Sequence, residues 1–211
     1  KEARQLAKNG VKELIVIAQD TTKYGLDIYG KKAISDLMRE LNEIEGLKWI
    51  RILYSYPEDV DAEFVKAVKE CEKVLPYFDM PVQHANDAIL KLMNRKTSKQ
   101  QIKENIDRIR KEIPEASIRT SIIVGFPTET QEQFDELCEF VKEVKFDRLG
   151  VFAYSREEDT PAAILEGQID EDIKQERKNR LMEIQQGISY EKNKTFVGST
   201  LEVMIDEKVE D

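Results

Sequence analysis

The chain has 211 residues, 40% of them hydrophobic, two cysteines and a net charge of −9, enough material for one core and the start of a second domain. No apolar run approaches the roughly 18 residues of a membrane span, and residues 1–10 read as an amphipathic helix instead of a signal peptide, so a cytoplasmic protein without membrane contact is expected. The isoelectric point near 5.0 argues against a broad nucleic-acid surface, and Cys71 and Cys138, each in a helical pattern, are too few for a disulfide framework and read as core thiols.

Short apolar runs then alternate with longer amphipathic stretches, the pattern of repeated βα units on a parallel sheet. The first strand is expected at 13–18 and runs into Gln19-Asp20-Thr21-Thr22; the second, at 49–54, runs into Ser55-Tyr56-Pro57. A third strand at 77–82 leads into Gln83-His84. Ser98 with Gln101 fits a capping box that opens a helix. The fourth strand, 118–124, ends at Gly125-Phe126-Pro127-Thr128-Glu129, and a second capping box, Thr130 with Gln133, starts the next helix. The fifth strand, 149–153, gives way to Tyr154-Ser155, and Thr160-Pro161 marks another helix start. A long charged helix is expected over 170–193, followed by an alternating stretch at 200–205 that reads as the first strand of a further domain.

This order fits α/β architecture, and two forms compete: the doubly wound sheet and the (βα) barrel. A doubly wound sheet concentrates its site at one switch point, whereas here nearly every strand runs into polar or aromatic residues suited to a site. That distribution favours a TIM-like barrel with its site at the C-terminal mouth. Five strands cannot close an eight-stranded barrel, and the chain starts on a helix, so an open, partial barrel lacking a preceding strand is expected.

The sequence holds neither G-x-G-x-x-G nor a Walker A pattern, which lowers nucleotide hydrolysis and Rossmann-type binding. No lysine stands at a strand end for Schiff-base chemistry; Lys23, the nearest, sits several residues out in a loop. Gly125 at a strand end would let backbone approach a flat ligand such as adenine, with Phe126 and Glu129 beside it; an ordinary βα turn, with Glu129 complementing the helix dipole, is the equal alternative. Gln19 and Asp20 could hold an ammonium group, or Asp20 could bond its own turn. His84 is the only histidine, so no histidine-based metal site can be built, and it is read as a loop or helix-start partner or as a general base.

Several motifs stand in one order along nearly the whole chain: Ala18-Gln19-Asp20-Thr21-Thr22-x-Tyr24-Gly25, Trp49-Ile50-Arg51-x-Leu53-Tyr54-x-Tyr56-Pro57, Pro76-Tyr77-x-Asp79-x-Pro81-x-Gln83-His84-Ala85, Ile122-x-Val124-Gly125-Phe126-Pro127-x-Glu129-Thr130 and Phe152-x-Tyr154-Ser155. Together they resemble the RimO-type methylthiotransferases of the radical S-adenosylmethionine (SAM) family. The tRNA-modifying sister group shares the Val124-Gly125-Phe126-Pro127 region but usually differs at the first and third motifs.

The resemblance implies a three-part enzyme: an N-terminal domain with an auxiliary 4Fe–4S cluster, a radical SAM barrel with a C-x-x-x-C-x-x-C cluster, and a C-terminal TRAM domain. Residues 1–169 would be the partial barrel without its first strand and cluster loop, 170–196 the C-terminal helix and linker, and 197–211 the beginning of TRAM. Neither cysteine set occurs here, so the ligands of both clusters are expected outside this chain, no metal ligand is assigned, and the fragment alone is expected to be inactive. The implied reaction places a methylthio group on the β-carbon of an aspartate in small-subunit ribosomal protein S-twelve, with a 5′-deoxyadenosyl radical removing the hydrogen. By motif, Gln19 and Asp20 would hold the methionine end of SAM, Gln83 and Arg119 the ribose or carboxylate, and Gly125, Phe126 and Glu129 the adenine side, with Tyr154 as a wall. The implied partner is the small-subunit ribosomal protein or the ribosome, with RNA contact through TRAM. Methylthiolation of a tRNA adenosine, or a non-catalytic barrel that binds a partner, are the alternatives.

Overall fold

A computed structural model describes residues 1–205 and 207 of the chain. In chain order the elements are α1 (Glu2–Lys8), β1 (Glu13–Val16), α2 (Leu26–Tyr29), α3 (Ile34–Asn42), β2 (Trp49–Ile52), α4 (Ala62–Glu70), β3 (Tyr77–Asp79), α5 (Asp87–Leu92), α6 (Lys99–Glu112), β4 (Ser117–Val124), α7 (Gln131–Val144), β5 (Arg148–Ala153) and α8 (Glu171–Lys194). The five strands expected from the apolar runs are all present, several of them shorter at their C-terminal ends. The reason is local chemistry. The Ala18 N–H turns to the Thr21 hydroxyl at 3.1 Å instead of continuing β1, Tyr54 takes a left-handed backbone (φ 55°) just after β2, and Pro81 has no N–H to give to the ladder beyond β3. Pairing there resumes as a single bridge between Gln83 and Ile122.

All strand pairs are parallel, β1 with β2 and β3 with β4 with β5. The two groups are joined where Ile50 donates to the Lys73 carbonyl at 2.7 Å, Leu75 donates to Ile50 at 2.9 Å and Ser55 donates to Asp79 at 2.8 Å. The spatial order is therefore the chain order, with no reversal. A doubly wound sheet requires a reversal, so the layer is that of an open, partial (βα) barrel.

Helices cover one face of this layer because their apolar residues recur at helical spacing. Ile102, Ile106 and Ile109 of α6 and Phe134, Leu137, Cys138 and Val141 of α7 are buried against Phe78, Ile118, Ile122 and Val124 of the sheet. Both capping boxes read from the sequence are formed, at Ser98/Gln101 and at Thr130/Gln133. The charged segment from 170 is one helix of 24 residues, α8, whose buried side chains are Lys174, Arg177, Leu181 and Gln185. Gln185 donates to the Phe146 carbonyl at 3.0 Å and Lys192 pairs with Asp147 at 2.5 Å, which pins α8 across the loop that leads into β5.

The strand expected at 200–205 is not formed among the described residues. This stretch runs exposed, with Glu202 paired to Lys48, because an alternating segment becomes a strand only when a neighbour supplies its ladder. Residues 206 and 208–211 of the segment expected to open a further domain lie outside the described residues.

Candidate active site

Alternation along the strands decides what faces the open side of the layer. On β4 burial alternates residue by residue: Ile118, Thr120, Ile122 and Val124 enter the helix-covered core, while Arg119, Ser121 and Ile123 point the other way. Those three line a cleft of about 970 Å3 together with Ile17, Tyr54, Tyr56, Pro81, Phe126, Phe152 and residues of the strand ends. Ile15, Ile17 and Phe152 are more than half exposed, and the open barrel accounts for it: they occupy lumen positions that a closed barrel would cover.

The bottom of the lumen is a charged layer. Arg51 of β2 donates to Glu13 of β1 at 2.7 Å and lies 4.6 Å from the centre of the Tyr77 ring. Arg119 of β4 donates to Asp79 of β3 at 2.6 Å, the two residues standing in register. Burial works against the Arg119 charge, but the hydrogen bond and charge of Asp79 outweigh it, so the guanidinium pKa lies above its ordinary value. Tyr77, beside Asp79, has its phenol pushed up, first by burial and then by that carboxylate.

Five residues singled out from the sequence, Gln19, Gln83, Arg119, Phe126 and Tyr154, come together on the cleft wall. Gln83 holds a left-handed backbone, φ 69°, while its N–H and C=O still pair with Ser121 and Ile123 of β4. A non-glycine residue there costs on the order of 1 to 3 kcal/mol, and such outliers gather at functional sites. Tyr54 at the neighbouring strand end shares the feature. The Tyr154 ring packs edge-on to Phe126 at 5.2 Å, and its hydroxyl is buried without a protein partner.

The other three candidates lie off that wall. Asp20 caps the turn after β1: it accepts from the Thr22 N–H at 3.2 Å and from the Thr22 hydroxyl, and pairs with Lys23 at 2.7 Å. Gly125 has φ 70°, and the space a Cβ would occupy is filled by the stem of Lys174 from α8. Glu129 is fully buried on the outer side of the turn: it accepts from the Gly125 N–H at 2.9 Å and from Arg177 at 2.9 Å, with His84 Nε2 at 3.5 Å. His84 Nδ1 accepts from the Asn86 N–H at 2.9 Å, so Nε2 carries the ring proton toward Glu129. Asn86 caps α5, which matches the helix-start role considered for His84.

Sequence reasoning did not nominate Asp79, Lys174 or Arg177. Asp79 stood inside a quoted motif, and its part becomes visible only when β3 and β4 are placed in register. Lys174 and Arg177 gave no signal, being two cations in a helix full of them.

Cys71 and Cys138 are free and buried at different helices. Burial pushes the Cys71 thiol up and the Cys138 thiol up to about 11. Among the described residues no group of three or more His, Cys, Asp or Glu side chains could hold a metal ion. These residues therefore do not fit an iron–sulfur cluster, which needs about four thiolate ligands. No helix among the described residues is long and apolar enough to cross a membrane.

Comparison with known proteins adds three findings. The Radical SAM superfamily profile matches residues 1–141. A ribosomal protein uS12 methylthiotransferase RimO of Clostridioides difficile is 58% identical over 211 residues, 100% of this chain and 48% of that protein, and one of Clostridium botulinum (strain Eklund 17B / Type B) is 55% identical over 206 residues, 98% of this chain and 46% of that protein. The chain thus spans about half the length of the curated relatives it matches. Among solved structures, coproporphyrinogen III oxidase (HemN) from Escherichia coli, described as a radical SAM enzyme, superposes with a TM-score of 0.54 at 25% identity, over 76% of this chain and 36% of that one.

Proposed function

The chain belongs to the radical SAM superfamily, and from that premise we propose that it is the barrel portion of a cytoplasmic methylthiotransferase that binds S-adenosylmethionine in the strand-mouth cleft and modifies an aspartate of ribosomal protein uS12. The observation that carries the substrate is the 58% identity, over the full chain, to a relative bearing that name. The Gln19-Asp20-Thr21-Thr22 and Gln83-His84-Ala85 motifs favour this reading over the tRNA-modifying one.

The donor set of the cleft fits S-adenosylmethionine. It offers one guanidinium for a carboxylate, two amide side chains for the amino-acid end and the ribose, aromatic and aliphatic walls for a flat base, and a buried Tyr154 hydroxyl that lacks a protein partner. In this proposal Gln19 and Asp20 serve the methionine end, Asp20 by shaping the turn that presents Gln19. Gln83 and Arg119 serve the ribose and the carboxylate. Phe126 and the turn from Gly125 to Glu129 form the adenine side, with Glu129 and Gly125 holding its shape from behind, and Tyr154 closes the wall. When bound, S-adenosylmethionine supplies the radical chemistry of the superfamily and a methyl group. The chain's own residues orient it and keep water out. Residues 197–211 would open a TRAM domain through which RNA is contacted, and the barrel would span 1–169 with 170–196 as helix and linker.

The test uses the organism that makes the full-length protein. Deleting the gene should leave uS12 lighter by one methylthio group while tRNA nucleosides stay unchanged. Loss of a methylthio-adenosine with uS12 unaltered would transfer the chain to the tRNA-modifying group.

A further inference from the structure

Asp79 is all but inaccessible, 1% exposed, yet it anchors the one cation that lines the cleft among the described residues, whose lining also includes Glu157, bonded by the Ser155 hydroxyl. Its Oδ1 accepts from Arg119 Nη1 at 2.6 Å, its Oδ2 accepts from the Tyr54 N–H at 3.3 Å, and its backbone carbonyl accepts from the Ser55 N–H at 2.8 Å. One buried carboxylate thus ties the end of β2, with its left-handed Tyr54, to β3 and to the guanidinium on β4. The Arg119 side chain is 35% exposed and is the sole cation lining the cleft among the described residues. Arg51, the other arginine of the lumen floor, is already paired with Glu13.

A guanidinium has five N–H donors in a planar fork. Among the described residues Arg119 gives only one of its nitrogens, Nη1, to a protein partner, which leaves donors for an anion that enters from the open side. The placement also sets the sign: a ligand meets the cation first, with the balancing carboxylate beneath it. Resting on the proposed cofactor reading, we infer that Asp79 is a positioning residue that holds Arg119 oriented toward the carboxylate at the amino-acid end of the bound S-adenosyl ligand. Asp79 does not touch the ligand; it acts through Arg119. The energetic reason is that a bidentate ion pair needs the fork pre-aimed, and an arginine without this anchor would lose side-chain freedom on binding.

The experiment is calorimetric titration of the full-length protein with two probes, S-adenosylhomocysteine, which carries the carboxylate, and 5′-methylthioadenosine, which lacks the amino-acid end. Wild type should prefer the first. Asp79→Asn keeps the shape and the acceptor for Tyr54 but removes the charge; it should weaken S-adenosylhomocysteine by about tenfold or more, as expected for a misplaced charge-assisted bond, and leave 5′-methylthioadenosine within about twofold. In an Arg119→Gln background the Asp79→Asn change should add nothing further to the loss. A merely structural role would weaken both probes alike, and that result, or an unchanged preference, overturns the inference. If Asp79→Asn alone fails to fold, the double variant leaves no unmatched buried charge, and its comparison with Arg119→Gln decides: equal affinities uphold the inference, a further loss on both probes overturns it. Wild type that binds neither probe sinks the cofactor reading itself, a different outcome from wild type that discriminates and a variant that does so equally well.

Discussion

A glutamate that follows a strand-end glycine can face the ligand or face away, and here it faces away. Glu129 takes the Gly125 N–H on one side and Arg177 on the other, so the carboxylate sets the curvature of the turn from behind. The same contrast between chemistry and packing governs the thiols. Cys138 sits fully buried among the apolar residues of α7, and burial raises its pKa to about 11. The sign follows from linkage: the unfolded thiol ionises near 9, so the folded form binds the proton more tightly between about 9 and 11. Stability is therefore fully present below about pH 9 and is lost as pH rises toward 11, by on the order of 2 kcal/mol. Urea unfolding at a series of alkaline pH values should show a steeper loss for the native chain than for Cys138→Ala. Parallel pH profiles for the two would mean that the thiol is not held protonated by the fold.

At the scale of elements, α8 decides how firmly the mouth of the cleft is held. Most of its side chains are polar; its one fully buried aliphatic is Leu181, set between the cations that reach Gly125 and Glu129 and the Gln185 that reaches Phe146. Leu181→Ala should cost about 2 to 5 kcal/mol in global unfolding. Loosening of α8 should also release Arg177 from Glu129, so hydrogen exchange at the Gly125 amide is expected to speed up relative to amides in α6, which α8 does not hold. An unchanged exchange ratio between those two places would show that α8 packs without controlling the turn. The capping boxes of α6 and α7 and the extent of α8 could be read from local spacing, because each depends on residues three or four apart. The attachment points of α8 could not.

For the whole molecule, the open barrel and the scattered cysteines set what the chain can do by itself. Cys71 and Cys138 stand in separate buried environments, and the described residues offer no other donor cluster. Anaerobic reconstitution of this 211-residue chain with iron and sulfide should leave it colourless. A stoichiometric brown chromophore, lost on replacing either cysteine, would show that the two thiols can be brought into one site after all. The exposed lumen residues Ile15, Ile17 and Phe152 fit the same account, since an incomplete barrel leaves inward side chains open to solvent.

The order of strands and helices, the parallel α/β class and two helix starts were legible in the residues alone, because each is written in spacings of two, three or four residues. The sequence also brought out Gln19, Gln83, Arg119, Phe126 and Tyr154 as cleft candidates. Only the tertiary structure decided that Asp79 lies beneath Arg119, 40 residues away, that Arg177 grips Glu129 across 48 residues, and that Lys174 occupies the space beside Gly125. Local periodicity tells which face a residue points toward; which charge waits on that face is fixed only when strand register and helix docking bring distant segments into contact.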